Sequence, residues 1–228
     1  MNLKNKVVVI TGASKGLGKA LASAFLSKQA KVIISARAGK ELRTVAQELG
    51  IPSCPADVTR ESDLIKLAAF ATKKLGRLDI WVNNAGITLP HANIEDVDVK
   101  RAHEVMEVNF FGTFYGSRVA LKIMKKQKFG TIVNIVSRGS LTGRPHSALY
   151  SSTKWAARGL TESLRLALAP YGISVIAIHP GGIKTDLFKN FKPAGYGTWM
   201  EPSYVAEKII KNLQRVKPKI EMLISQKN

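Results

Sequence analysis

The chain has 228 residues, 45% of them apolar and 22% charged, a globular composition that excludes a disordered or fibrous chain. Its one cysteine, Cys54, excludes an internal disulfide framework. The formal charge of +19 raises nucleic acid or an anionic membrane as partners. The basic residues are scattered, however, and the densest group, Lys122, Lys125, Lys126 and Lys128, has the spacing of a solvated helix end.

The opening residues run straight into a strand-like stretch, Val7 to Ile10, with no long apolar segment before it, so no signal peptide is expected. No stretch reaches the ~20 apolar residues of a membrane span, and a soluble, cytoplasmic protein is expected. Lys6–Thr11 reads as a strand and Leu17–Gln29 as a helix with Leu21, Ala24 and Phe25 on one face. Lys31–Ser35 is the next strand, and Lys40–Leu49 a helix stopped by Gly50. A short strand near Pro52–Ala56 precedes a helix over Ser62–Leu75, and Asp79–Asn83 is again a strand. Two helices follow, about Val99–Asn109 and Gly112–Gln127, then a strand at Thr131–Val136. Ser151–Pro170 reads as a helix, Ser174–His179 as a strand, Tyr204–Gln214 as a helix and Ile220–Ile224 as a last strand.

Most of these strands are continuous apolar runs, the pattern of a parallel sheet covered on both faces. Joined by right-handed crossovers, they predict an α/β fold: a doubly wound, Rossmann-type, mostly parallel sheet of about seven strands with helices on both faces. Nothing divides the chain, so one dinucleotide-binding and catalytic domain over 1–228 is expected. The irregular stretch 181–203 carries Pro193, Gly195, Gly197 and Pro202 and has the length of a substrate lid.

Between the first strand and the first helix lies Thr11-Gly12-Ala13-Ser14-Lys15-Gly16-Leu17-Gly18. Glycines serve where backbone turns tightly against a pyrophosphate, and a helix start behind them offers free N–H groups. This segment resembles the TGxxxGxG loop of the short-chain dehydrogenase/reductase family. Asn83-Asn84-Ala85-Gly86 resembles that family's NNAG element, and Asn109 falls at its helix asparagine. Ser137, thirteen residues before Tyr150, and Lys154, four after it, resemble its Ser…Tyr-x3-Lys signature. Pro180-Gly181-Gly182-Ile183-Lys184-Thr185 resembles its PG-xxx-T loop. The motifs run in order from about residue 5 to 185.

The chemistry follows from residue types. Carbonyl reduction needs a proton donor at the oxygen, and a tyrosine of ordinary pKa about 10 exchanges poorly near neutrality unless a nearby cation favours the phenolate. Lys154, at i+4 from Tyr150, shares its helix face, and a hydroxyl such as Ser137 can hold the substrate oxygen. The resemblance implies that Tyr150 is the acid/base, Lys154 tunes it and holds the nicotinamide ribose, Ser137 orients substrate, and Asn109 positions a relay water. It also implies an adenine contact at Asp57-Val58, backbone approach to the cofactor at Asn84 and Gly86, and contacts around Pro180, Gly181, Ile183 and Thr185. No His, Cys or carboxylate cluster has metal-ligand spacing.

The second strand ends Ile34-Ser35-Ala36-Arg37. NAD-binding folds place an acid there for the ribose 2′-hydroxyl. Here Ala36 takes that place, and Arg37, with Lys15 and Ser14 from the glycine loop, can hold a 2′-phosphate, so NADPH is the expected cofactor. Beyond Thr185, Phe188, Phe191, Tyr196, Trp199 and Met200 either line an apolar pocket or anchor the lid, and Leu141, Arg144, His146 and Leu149 are expected at the rim. A homo-oligomer, dimer or tetramer, is expected through the helices near Val99–Gln127 and Tyr150–Pro170, with Phe110, Phe111, Phe114, Tyr115, Val119 and Leu121 as its apolar surface. The competing reading is a nucleic-acid-binding or regulatory protein on a dehydrogenase fold. An extended sugar-nucleotide epimerase would need more chain after Thr185.

Overall fold

Runs of valine and isoleucine suit a strand whose two faces are both covered, and the apolar stretches of this chain become six such strands. The structure is a computed structural model that describes residues 1–188, 192–193 and 195–226. Among these residues the strands are β1 (Val7–Thr11), β2 (Lys31–Ser35), β3 (Ile80–Asn83), β4 (Gly130–Ile135), β5 (Ile173–Pro180) and β6 (Glu221–Ile224). They form one sheet in the order β2-β1-β3-β4-β5-β6, every neighbouring pair parallel.

Among the described residues seven α-helices cover it: α1 (Gly16–Leu26), α2 (Lys40–Leu49), α3 (Glu61–Leu75), α4 (Val99–Met106), α5 (Gly112–Gln127), α6 (Ala148–Leu168) and α7 (Pro202–Leu213). Successive residues of a strand point to opposite faces, so β1 divides its side chains between two cores. Val8 and Ile10 pack with Leu21 and Phe25 of α1 and Val205 and Ile209 of α7. Val9 packs with Leu64 and Leu67 of α3 and Val119 and Met124 of α5. Each such buried side chain stabilises by about 1.5–3 kcal/mol, which outweighs the weak propensity of any one segment.

The expected seventh strand, near Pro52–Ala56, does not form. Proline has no N–H to give a ladder, and Pro52 and Pro55 interrupt the segment. What forms is one bridge, Ile34 to Ser53, with the Ile34 N–H donating to the Pro52 carbonyl at 3.2 Å, the Cys54 N–H to the Ile34 carbonyl at 3.0 Å and the Ala56 N–H to the Ala36 carbonyl at 2.9 Å. The helices expected over Val99–Asn109 and Gly112–Gln127 join into one run through a π-helical turn, Glu107–Phe111. Helix α6 begins at Ala148, ahead of the expected Ser151.

The position of β1 decides where the functional site lies. The chain passes from β1 outward to β2 and then returns to β3 on β1's other side. That reversal leaves a crevice beyond the carboxyl ends of β1 and β3.

Candidate active site

Two glycines of the first loop have the left-handed backbone that side chains resist: Gly12 at φ +64° and Gly16 at φ +55°. A Cβ on Gly12 would lie 2.6 Å from the Ala85 Cα, and one on Gly18 would lie 2.4 Å from the Gly12 carbonyl oxygen. Asn84 holds this cradle through its side chain. Its Nδ2 donates to the Thr11 carbonyl at 2.9 Å and the Gly12 carbonyl at 3.0 Å. Thr11 answers: its Oγ1 accepts the N–H groups of Asn84 and Ala85 at 3.1 and 3.2 Å. Thr11 was not singled out in the sequence, although it opens the very loop that was.

Beyond this cradle lies a cleft of about 1830 Å³. Gly12, Ser14, Lys15, Gly16, Leu17 and Gly18 line one part of it, with Arg37, Asp57 and Val58 beside them. Asn84, Gly86, Ser137, Tyr150 and Lys154 line the middle, and Pro180, Gly181, Ile183 and Thr185 the far wall. Asp57 is partly occupied, because its Oδ1 accepts from the Thr59 N–H at 3.0 Å and the Thr59 hydroxyl at 2.8 Å. Lys15 is paired with Asp186 at 3.7 Å, and Glu41, an acid not anticipated there, shares the lining with Arg37.

The middle of the cleft holds the reactive groups. Ser137 follows β4, and its Oγ accepts the Gly139 N–H at 3.0 Å, which leaves its own proton to point at a neighbour. Tyr150 is that neighbour on the cleft wall, and the Ser137 hydroxyl works against the rise that burial gives the phenol's pKa. Lys154 stands one helical turn on, buried, its ammonium 5.9 Å from the Tyr150 ring centre and donating to the Ile135 carbonyl at 3.2 Å. Burial pushes the Tyr150 phenol up, while the Ser137 hydrogen bond and the Arg144 guanidinium pull it down. One N–H of the Lys154 ammonium goes to the Ile135 carbonyl, leaving two for the cleft, and desolvation brings its pKa down to about 8. Arg144, expected only at the rim, adds its charge at the phenol.

Asn109 is fully buried and stands behind the cleft wall. Its Oδ1 accepts the Ile87 N–H at 2.9 Å, and its Nδ2 donates to the Ile87 carbonyl and to Thr153 Oγ1, both at 3.0 Å. Its main-chain carbonyl accepts the Thr113 hydroxyl at 2.8 Å. With those contacts Asn109 holds the loop after Gly86 against α6. The π turn sets this residue inward, because one extra residue per turn rotates it off the face a regular helix would give.

The rim residues separate. His146 turns to Asn93, Nδ1 to Oδ1 at 2.9 Å, and with Leu149 borders a small adjoining hollow. Arg144 and Ser147 line the main cleft, Leu141 does not. Met200 is core, while Trp199 lines the cleft and packs on Tyr196 at 5.2 Å between ring centres. Phe188 ends the short turn that Asp186 begins, and Phe191 lies outside the described residues.

The geometry fits a dinucleotide. Glycines whose Cβ atoms would strike backbone leave room for a pyrophosphate at the start of α1, where no side chain caps the first N–H groups. Known proteins agree. The short chain dehydrogenase family matches residues 6–194. An uncharacterised oxidoreductase of Staphylococcus aureus (strain MRSA252) is 33% identical over 218 residues, 94% of each chain. One of Thermotoga maritima is 40% identical over 191 residues, 82% of this chain and 75% of that one. Among solved structures, the 3-ketoacyl-(acyl-carrier-protein) reductase of Brucella melitensis complexed with NADH superposes with a TM-score of 0.91 at 28% identity, covering 97% of both chains. A short-chain dehydrogenase of Streptomyces avermitilis gives 0.86 at 28% identity over 98% of this chain and 89% of that one. The chain is an oxidoreductase and belongs to the short-chain dehydrogenase family.

Proposed function

We propose that this oxidoreductase, as one dinucleotide-binding and catalytic unit, reduces a ketone or aldehyde to an alcohol with NADPH, or runs the reverse. The observation that carries the reading is the pairing of Ser137 with Tyr150 on the cleft wall above the buried Lys154. When bound, the nicotinamide supplies the hydride. The residues of the chain do the rest. The glycine loop and the start of α1 would hold the pyrophosphate, and Arg37 would meet a 2′-phosphate. Lys154 lies where it can hold the ribose. Ser137 donates its proton to the substrate oxygen, and Tyr150 delivers a proton to that oxygen as it becomes an alkoxide. The phenolate left behind is stabilised by the Arg144 guanidinium. Leu187, Pro193 and Trp199, from the segment expected to be a lid, line the mouth and exclude water.

The nucleic-acid reading gains no support, since the relatives carry oxidoreductase names and the cations stay scattered. No helix among the described residues is long and apolar enough to cross a membrane.

The test is NADPH oxidation with ethyl acetoacetate, benzaldehyde and benzil, for wild type and Tyr150→Phe. The variant removes only the transferable proton, so kcat should fall by ~10²–10⁴-fold while NADPH binding persists. Retention of more than about a tenth of wild-type kcat would overturn the assignment.

A further inference from the structure

A buried polar chain runs behind Ser137, and the reaction as described makes no use of it. His179, at the end of β5, is 1% exposed, and Ser140 is fully buried. The Ser140 hydroxyl lies 2.6 Å from the Ser137 carbonyl and donates to it. That spends its proton, so toward His179 Nδ1, 2.9 Å away, Ser140 can only accept. Nδ1 therefore carries the imidazole proton, and the same N–H lies 3.3 Å from the Ser137 carbonyl. Burial holds the imidazole below its ordinary pKa, which keeps it neutral near pH 7 with this tautomer fixed.

The other side of the ring faces Glu221 of β6, Nε2 to Oε2 at 3.6 Å, without a hydrogen bond. Arg158 and Arg165 of α6 hold Glu221 at 3.4 and 3.7 Å, and Arg158 also donates to the Ser140 carbonyl at 3.4 Å.

We propose that His179, acting through Ser140, is a positioning residue for Ser137. The main-chain oxygen of Ser137 is gripped from behind by Ser140 and His179, and its Oγ accepts from Gly139 in front. With both oxygens fixed, the hydroxyl has one direction left for its proton, toward Tyr150 and the substrate oxygen. Buried networks with every direction specified lock a side chain in this way. The last strand reaches this network through Glu221 and Arg158, which donates to the Ser140 carbonyl, although β6 contributes no residue to the cleft wall.

The inference rests on the role given to Ser137, and a double-mutant cycle separates the two. The variants are His179→Leu, His179→Asn, Ser137→Ala and His179→Leu with Ser137→Ala. The substrate is the member of the carbonyl panel turned over fastest, with NADPH affinity read by fluorescence and folding by thermal melting. A misplaced hydroxyl costs up to ~10²-fold. We expect His179→Leu to lower kcat about tenfold or more with NADPH affinity unchanged, because His179 is buried behind the cleft wall and does not itself line it. His179→Asn keeps an N–H near the Nδ1 position and should restore most of the loss. With Ser137→Ala already present, His179→Leu should cost no further kcat, since there is no hydroxyl left to aim. Equal losses in both backgrounds, or none in either, would overturn the positioning role. A Ser137→Ala variant with wild-type kcat would instead overturn the role of Ser137 itself. A melting shift alike in both His179→Leu proteins is expected, and the kcat cycle is independent of it.

Discussion

At the scale of single residues, Lys154 is bound at a thermodynamic cost. Its folded-state pKa of about 8 lies below the ordinary 10.5, so below pH 8 the folded protein holds a charge that the unfolded chain keeps in water. The penalty is on the order of 3 kcal/mol. Between those two pKa values the unfolded chain binds the proton and the folded one does not, so stability rises with pH through that window. Lys154→Met should therefore raise the melting temperature at pH 7 by ~5 °C and abolish turnover. The gain should be gone at pH 10.5, and melting curves of the cofactor-free protein at both pH values check it. Cofactor choice belongs to the same scale. Ala36 leaves no acid at the end of β2, and the exposed Arg37 lines the cleft beside it. Lys15 is shared with Asp186, so the proposed preference for NADPH over NADH would rest chiefly on Arg37 and is expected to be ~10–10²-fold in kcat/KM. The pair Ala36→Asp, Arg37→Ile should remove or reverse it. A wild type that used both cofactors equally would end the assignment.

At the scale of elements, α5 lies on β3 because glycine lets it. A Cβ on Gly116 would sit 2.1 Å from Asn83 Oδ1 and 2.8 Å from Trp81 Nε1. Those two atoms share a buried hydrogen bond of 2.7 Å, which continues from Asn83 to Asn134 at 2.8 Å and from Asn134 to Thr161 at 2.8 Å. Gly116→Ala should cost about 3 kcal/mol, overpacking plus a broken buried hydrogen bond. Gly159, exposed on α6 with nothing within 4 Å of its missing Cβ, should do the opposite. Gly159→Ala should gain up to about 1 kcal/mol from helix propensity. Urea unfolding of both proteins tests the pair, and the same sign for both would show the packing argument to be wrong.

At the scale of the whole molecule, the turn into α5 carries half-buried aromatics in contact: Phe110 and Phe111 at 5.1 Å, Phe111 and Tyr115 at 6.0 Å, Phe114 and Tyr115 at 5.5 Å between ring centres. Val119, by contrast, is buried in the core of its own chain. Large aromatics left partly open mark surfaces that gain by association. A dimer or tetramer is expected in solution. Light scattering at micromolar concentration that returned a mass near 24.9 kDa would exclude it.

The sequence by itself determined the parallel α/β sheet, because continuous apolar strands alternating with amphipathic helices have few other ways to bury both faces. It determined the glycine cradle too, since the spacing of Gly12, Gly16 and Gly18 at a strand-to-helix junction is a local property. The missing seventh strand was equally local: two prolines stood in plain view at Pro52 and Pro55. What only the tertiary structure decided are the relations between distant segments. No spacing shows that Arg144 bears on the Tyr150 phenol. Nor does any show that Asn109 turns inward on a π turn to hold the Ile87 loop, or that His179 stands behind Ser137. Each depends on how loops and strand ends far apart in the chain are brought within a few ångströms, and on the desolvation that follows. Periodicity reports which face of an element is covered, and it carries no record of which polar groups meet once that face is covered.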